Sequence, residues 1–156
     1  MSSDNLEKII KLSHPFQDEY HKGMVGVFLL ETILFKDVEA HLKKYKLTYQ
    51  QFNILRILKG QHPKCANLSI LKERMLHKES DVSRLVDRLV NLGLVEKKEN
   101  ETNKRKIFIC LSSEGYKLAE SIDVNHDGFR SIMKNLSQTD ILMFNKLVHK
   151  LLATQL

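Results

Sequence analysis

Apolar residues recur at helical spacing along most of the chain and change to a strand pattern between residues 94 and 111. Within residues 78–92, Val82, Leu85, Val86 and Leu89 fall at i, i+3, i+4 and i+7, which lines one face of a helix. Ser80, Arg84, Asp87 and Asn91 lie opposite, flanked by Lys78, Asp81, Ser83 and Arg88. Gly93 stands where a helix ends in a left-handed residue. Residues 94–98 and 106–111 then read as two strands joined by a polar turn.

Upstream, Leu6, Ile9, Ile10 and Leu12 mark a short helix broken at His14-Pro15, because the residue before proline is pushed out of the helical region. Residues 17–45 predict a long helix carrying Tyr20, Met24, Val27, Phe28, Leu34, Phe35, Val38 and Leu42. Its stretch around residues 23–30 is apolar nearly all round. Such a helix must be covered by more than one element, and in a chain this small that predicts a dimer interface. Thr48-Tyr49-Gln50-Gln51 is a capping box opening a helix through Phe52, Leu55 and Leu58 that ends at Gly60. Residues 66–68 offer a short third strand, and residues 69–76 a helix with Ile70, Leu71 and Met75 inward. A turn then leads into the 78–92 helix, as a helix-turn-helix requires. After the strands, Ser112 or Ser113 caps a helix reaching about Met133. Ser137 or Thr139 starts the last helix, whose Ile141, Leu142, Phe144, Leu147, Val148, Leu151 and Leu152 again call for a partner.

Length and composition add bounds. A chain of 156 residues with 42% apolar content is one domain, or a domain with a dimerisation extension. The net charge is +6, and residues 64–106 hold 11 Lys/Arg against 7 Asp/Glu, or +4. Most of the positive excess therefore falls on the segment that presents a polar helix face and a basic turn, as in a nucleic-acid binder. The N-terminus lacks the basic start and apolar run of a signal peptide, and the most apolar stretch, 24–35, is too short to span a membrane. A cytoplasmic protein with no membrane partner is expected. Cys65 and Cys110 alone give no disulfide framework. They read as free thiols of a reducing compartment, with a redox role for either left open. His62 and Cys65, with His77 near, form too small a donor set for zinc, and no metal or cofactor is expected. Motifs of phosphate loops, metalloproteases and serine hydrolases are absent, so no enzyme is expected.

Small polar and basic side chains on the free face of a short helix suit the major groove of double-stranded DNA. Arg84, directly opposite the apolar face, is the first candidate for a base or phosphate contact. Ser80, Asp81 and Ser83 lie near the helix start. Asp81 could accept from cytosine N4 or cap the helix. Lys78 and Arg88 suit phosphates. At the turn, Asn103, Lys104 and Arg105 suit the backbone or minor groove. An amphipathic helix with a solvated face and a charged hairpin tip would account for the same residues.

Leu71-Lys-Glu-Arg-Met75, Ser80-Asp-Val-Ser-Arg-Leu-Val-Asp-Arg-Leu89, Gly93-Leu-Val95, Asn103-Lys-Arg105 and Leu111-Ser-x-x-Gly115 together resemble the MarR family of bacterial transcription factors in order and spacing. The chain departs from the family at Asn103, where the wing usually has Asp, and at Lys72, where a small residue is usual. Arg105 matches the family's wing arginine. The resemblance implies a mainly α fold: a winged helix-turn-helix with a two-stranded wing in residues 46–112, and terminal helices in 1–45 and 113–156 forming a dimerisation region. It implies a homodimer on a pseudo-palindromic operator, acting as a repressor. It also implies a small aromatic effector, for which Phe28, Phe35, Tyr49 and Phe52 are candidate contacts, although aromatics at helical spacing are also ordinary core. The competing class is a helical dimeric protein-interaction module without specific DNA binding.

Overall fold

The structure is a computed structural model and describes residues 4–78, 80–99, 107–122 and 132–153. Its elements are α1 (Asp4–Ile10), α2 (Glu19–Lys43), α3 (Tyr49–Gln61), β1 (Ala66–Asn67), α4 (Leu68–Arg74), α5 (Val82–Asn91), β2 (Val95–Glu99), β3 (Ile107–Leu111), α6 (Ser113–Ser121), a 3-10 turn (Met133–Asn135) and α7 (Gln138–Leu152). The chain divides into two compact units, residues 1–38 with 128–156, and residues 39–127.

The second unit holds most of the core. Leu42, Leu47, Phe52, Ile54, Leu55 and Leu58 meet Leu71, Met75, Val82, Val86, Leu89, Val95 and Ile109, all buried. The sheet is antiparallel in the order β1-β3-β2, with Val95 opposite Leu111 and Glu99 opposite Ile107. The expected third strand is present as two residues, Ala66 opposite Ile109 and Asn67 opposite Phe108.

Helix ends follow local chemistry. The Thr48 hydroxyl accepts from the Gln51 amide at 3.2 Å while Gln51 reaches back to the Thr48 N–H at 2.9 Å, the reciprocal cap expected there. The stop expected at Gly60 is absent. α3 runs through it to Gln61 and ends before Pro63, with His62 extended, since proline keeps its predecessor out of the helical region. α5 ends in a Schellman motif: Gly93 has φ 70°, its N–H donates to Val90 O at 2.9 Å, and the Leu94 N–H donates to Leu89 O at 3.0 Å. Ser112, not Ser113, caps α6, accepting from the Gly115 N–H at 2.9 Å. Its hydroxyl also donates to Gly93 O at 2.7 Å, joining the end of α5 to the start of α6. α6 ends at Ser121, where Ile122 turns extended (φ −76°, ψ 101°) as its C-cap, so the unbroken helix expected to reach about Met133 is interrupted there; residues 123–131 lie outside the described ones. Ser137, not Thr139, opens α7, with Asp140 completing a second capping box.

Two expectations need correction. The helix read over residues 78–92 begins at Val82, after Asp81 as N-cap. A capping aspartate has non-helical backbone angles, so Lys78 and Ser80 fall in the preceding turn. Cys65 and Cys110 are joined in a disulfide and are not free thiols. Extending the β1–β3 register by one residue places them directly opposite each other. Their 4.5 Å Cα separation is that of a non-hydrogen-bonded antiparallel pair. Forty-five residues separate them in sequence, so spacing alone did not reveal the pairing.

The first unit is built differently. No residue of α7 is buried, and Tyr20, Met24, Val27 and Phe28 of α2 are exposed, Tyr20 at 90%. No helix among the described residues is long and apolar enough to cross a membrane.

Candidate nucleic-acid interface

α5 is held at both ends and along one side. Its inner residues Val82, Val86 and Leu89 are buried to 1% exposure or less. Each such side chain stabilises by roughly 1.5–3 kcal/mol relative to remaining in water. That burial fixes the helix about its own axis and turns Ser83, Arg84, Asp87 and Arg88 outward, where all four are exposed. At the N-terminus the Asp81 carboxylate accepts from the Arg84 N–H at 3.1 Å. Of the two roles open to Asp81, the structure shows capping. An anionic cap also complements the positive end of the helix dipole.

The outward side chains are not equivalent. Asp87 receives the Lys97 ammonium of β2 in a hydrogen-bonded ion pair, tying the middle of α5 to the adjacent strand. Arg84 and Arg88 pair with no carboxylate among the described residues. They are the cations this helix presents to a ligand. Lys78 donates to the Glu73 carbonyl oxygen, so its ammonium closes the C-terminal end of α4. Ser80 donates its backbone N–H to His77 O at 3.3 Å within the same turn. Asn103, Lys104 and Arg105 lie outside the described residues.

α4 is positioned by Asn67, whose side chain accepts from the Ile70 N–H at 2.8 Å while its backbone belongs to β1. Asn53, only 1% exposed on α3, donates to Met75 Sδ at 3.5 Å and accepts from Arg56 at 3.1 Å, linking α3 to the end of α4. Gly115 lies against β2's entry: a side chain there would overlap the Leu94 carbonyl oxygen. Lys97 and Asn67 were not singled out by the sequence, and Ser112 was named only as a possible cap of α6, not for its bond to Gly93. Their partners lie across turns or in separate elements, where helical and strand periodicity carries no signal.

The four aromatic candidates divide between the units. Phe28 is exposed and Phe35 partly buried on α2, in the first unit. Tyr49 and Phe52 lie on α3 in the second. Phe52 is a core residue at 4% exposure. Tyr49 is partly buried and meets the His77 ring edge-on at 5.9 Å. Burial pushes the Tyr49 phenol above its ordinary pKa against a smaller lowering by Arg56, so it is a neutral O–H group near pH 7. His62 rests on Tyr116 with centroids 4.5 Å apart, and the disulfide removes Cys65 from any pairing with it as metal ligands.

Residues 45–106 match the model of the MarR family. The HTH-type transcriptional regulator MgrA of Staphylococcus aureus is 28% identical over 110 residues, covering 70% of this chain and 73% of that protein. Among solved structures, AbsC, a MarR family transcriptional regulator from Streptomyces coelicolor, superposes with a TM-score of 0.77 at 20% identity, over 92% of this chain and 97% of AbsC. A mutant MarR from E. coli complexed with operator DNA superposes with a TM-score of 0.73 at 24% identity, over 96% and 99%. Both structural likenesses establish the fold.

Proposed function

We propose that this chain is a DNA-binding transcriptional regulator of the MarR family, whose model matches residues 45–106, and that it acts as a homodimeric repressor on a pseudo-palindromic operator. The observation that carries the reading is the outer face of α5, where Arg84 and Arg88 stand exposed beside an aspartate committed to capping and another committed to Lys97. The helix enters the major groove with Arg84 as the base reader, since arginine pairs bidentately with guanine O6 and N7. Ser83 contacts base edges near the helix start, and Arg88 neutralises a phosphate. Lys104 and Arg105, with Asn103 beside them, contact the backbone or minor groove at the wing tip. Lys78 and Ser80 face the phosphates from the turn that precedes α5, Lys78 through the ammonium donors left beside its bond to the Glu73 carbonyl oxygen.

The dimer reading rests on the apolar surfaces of α2 and α7, which a second copy covers. Two α5 helices then meet successive major grooves about 34–36 Å apart if one helical turn separates the half-sites. Repression follows when the occupied site excludes polymerase in the cytoplasm. A small aromatic effector that favours a dimer with the wrong helix spacing weakens DNA binding by its differential affinity for that state. Tyr49 is its first candidate contact, ahead of Phe28 and Phe35, because Phe52 is filled into the core.

Selection of bound duplexes from a random library, followed by titration of the winner at two salt concentrations, tests the reading. The expected result is enrichment of an inverted repeat with a steep salt slope, because each neutralised phosphate releases counterions. Lys104→Ala lowers affinity for all sequences and reduces the slope by about one ion. Absence of DNA binding by a folded dimer at low salt overturns the proposal in favour of a protein-interaction module.

A further inference from the structure

The Cys65–Cys110 bond closes a covalent loop around residues 66–109, which contain β1, α4, α5, β2 and most of β3. Every candidate DNA contact lies inside that loop. β1 is an edge strand with only two paired residues, and the disulfide adds a covalent tie to β3 one residue beyond that pairing. One of those two residues, Asn67, also caps α4, and α4 precedes the turn into α5. The bond is thus linked to α4 through a single short strand: Cys65 immediately precedes the β1 pair, and the second residue of that pair holds the cap.

The two bonded cysteines differ in exposure. Cys110 is buried at 6% exposure between β1 and β2, whereas Cys65 is partly exposed at the end of the loop after α3. A regulator works where its DNA is, and in a bacterial cytoplasm thiols are kept reduced. A disulfide there with one partly exposed cysteine is open to exchange.

We infer that the Cys65–Cys110 disulfide is a reversible clasp through which a small-molecule thiol–disulfide couple controls the order of the β1–α4 segment and hence DNA affinity, the oxidised form being the tighter binder. The effect on DNA affinity rests on the function proposed above. In the reducing direction a thiolate attacks Cys65 Sγ and forms a mixed disulfide, and Cys110 leaves as a thiolate that takes a proton. A second small-molecule thiolate then attacks the small-molecule sulfur of the mixed disulfide, forming the small-molecule disulfide and releasing Cys65 as a thiolate that takes a proton. The protein disulfide and two thiols become two cysteine thiols and one small-molecule disulfide, with two electrons passed to the protein. A small-molecule disulfide drives the reverse.

The test equilibrates the full chain in glutathione buffers from fully reduced to fully oxidised. Thiols are counted by alkylation and mass, backbone amide exchange is followed over residues 66–74, and affinity is measured for the selected duplex. Reduction is expected to speed exchange in 66–74 about tenfold or more, since a locally opened segment loses protection. It should also lower DNA affinity at least about fivefold, the lower end of usual coupling between sites. Cys65→Ser should match the reduced wild type in every buffer, and the reduced wild type itself controls for any folding defect of that variant. Equal exchange and equal affinity in the two forms overturns the inference, as does failure of the bond to form in oxidised glutathione. Exchange that follows the redox buffer without DNA binding in either form refutes the regulatory function while leaving the clasp established.

Discussion

α5 and α7 are both amphipathic helices, yet they end up in opposite conditions. On α5 the inner residues Val82, Val86 and Leu89 are buried by the chain's own α3, α4 and β2, leaving a polar, basic face to solvent. On α7 no residue is buried, and Leu142, Met143, Leu147, Leu151 and Leu152 stay exposed, Leu151 at 68%. Soluble monomers rarely leave so much contiguous apolar surface uncovered. One helix is finished by its own chain, and the other is left with the apolar surface proposed above to meet a second copy. Under the proposed function, assembly and DNA reading fall to different elements, and substitutions in each should fail in different ways.

The largest expected effect breaks the comparison on the α7 side. Leu147→Glu places a charge in the surface assigned to the dimer, and a charge buried without a partner is strongly unfavourable. Light scattering should show a monomer. Because two linked half-site contacts gain from effective concentration, apparent DNA affinity should fall by about 100-fold or more. Residues 39–127 should keep their thermal stability. An unchanged dimer from this variant would mean that α7 is covered by something other than a second copy.

Gly115→Ala strikes the opposite side. The new methyl group overlaps the Leu94 carbonyl oxygen, which also accepts from the Ser112 N–H at 3.2 Å. Backbone must move, and overpacking of this kind costs about 3 kcal/mol. Denaturant unfolding should lose that amount, whereas the assembly state of the folded fraction should not change. A loss below about 0.5 kcal/mol, the range of an unconstrained surface change, would show that the α6 entry adjusts freely.

The apolar face of α5, the glycine after it and the order of strands and helices were legible in the sequence because each rests on periodicity or on a residue with one structural use. Gly115 stood out only within a family pattern, and the reason for it, a carbonyl of Leu94, belongs to three-dimensional packing. The start of α5 was misplaced because Lys78, Glu79 and Ser80 are compatible with helix, and only the turn angles at Asp81 decide against it. The disulfide was missed because the neighbours of a two-residue edge strand leave no trace in sequence spacing. For the candidate interface, residue types on α5 were legible, but the commitments of Asp81, Asp87 and Lys78 were not. A carboxylate or ammonium at a helix surface reads alike whether it faces solvent or a partner from another element.

Arg84→Ala sharpens the comparison without disturbing either helix's packing. The guanidinium is exposed and pairs with no carboxylate among the described residues, so stability and dimerisation should stay within about 0.5 kcal/mol of wild type. Discrimination at one base pair of each half-site should fall by about 2 kcal/mol. Competition binding with duplexes mutated at single positions measures it. Equal loss on all sequences would reassign Arg84 to a phosphate.

The smallest effect concerns the end of α2, inside the unit that completes itself. Lys46 has φ 56°, its N–H donates to Lys43 O at 3.0 Å, and the Leu47 N–H donates to Leu42 O at 3.4 Å. A side chain in the left-handed region costs roughly 1–2 kcal/mol in regular sterics. The reversal at Lys46 brings Leu47 into the core, where it is buried at 6% exposure. Lys46→Gly removes the steric cost but gives the unfolded chain more freedom, which returns about 0.4–1 kcal/mol. The net expectation is a stabilisation of about 0.5 kcal/mol in chemical denaturation, with dimer dissociation and DNA affinity unchanged. A change in dimer dissociation from this one residue would show that the α2 terminus couples the self-sufficient unit to the surface assigned to its partner.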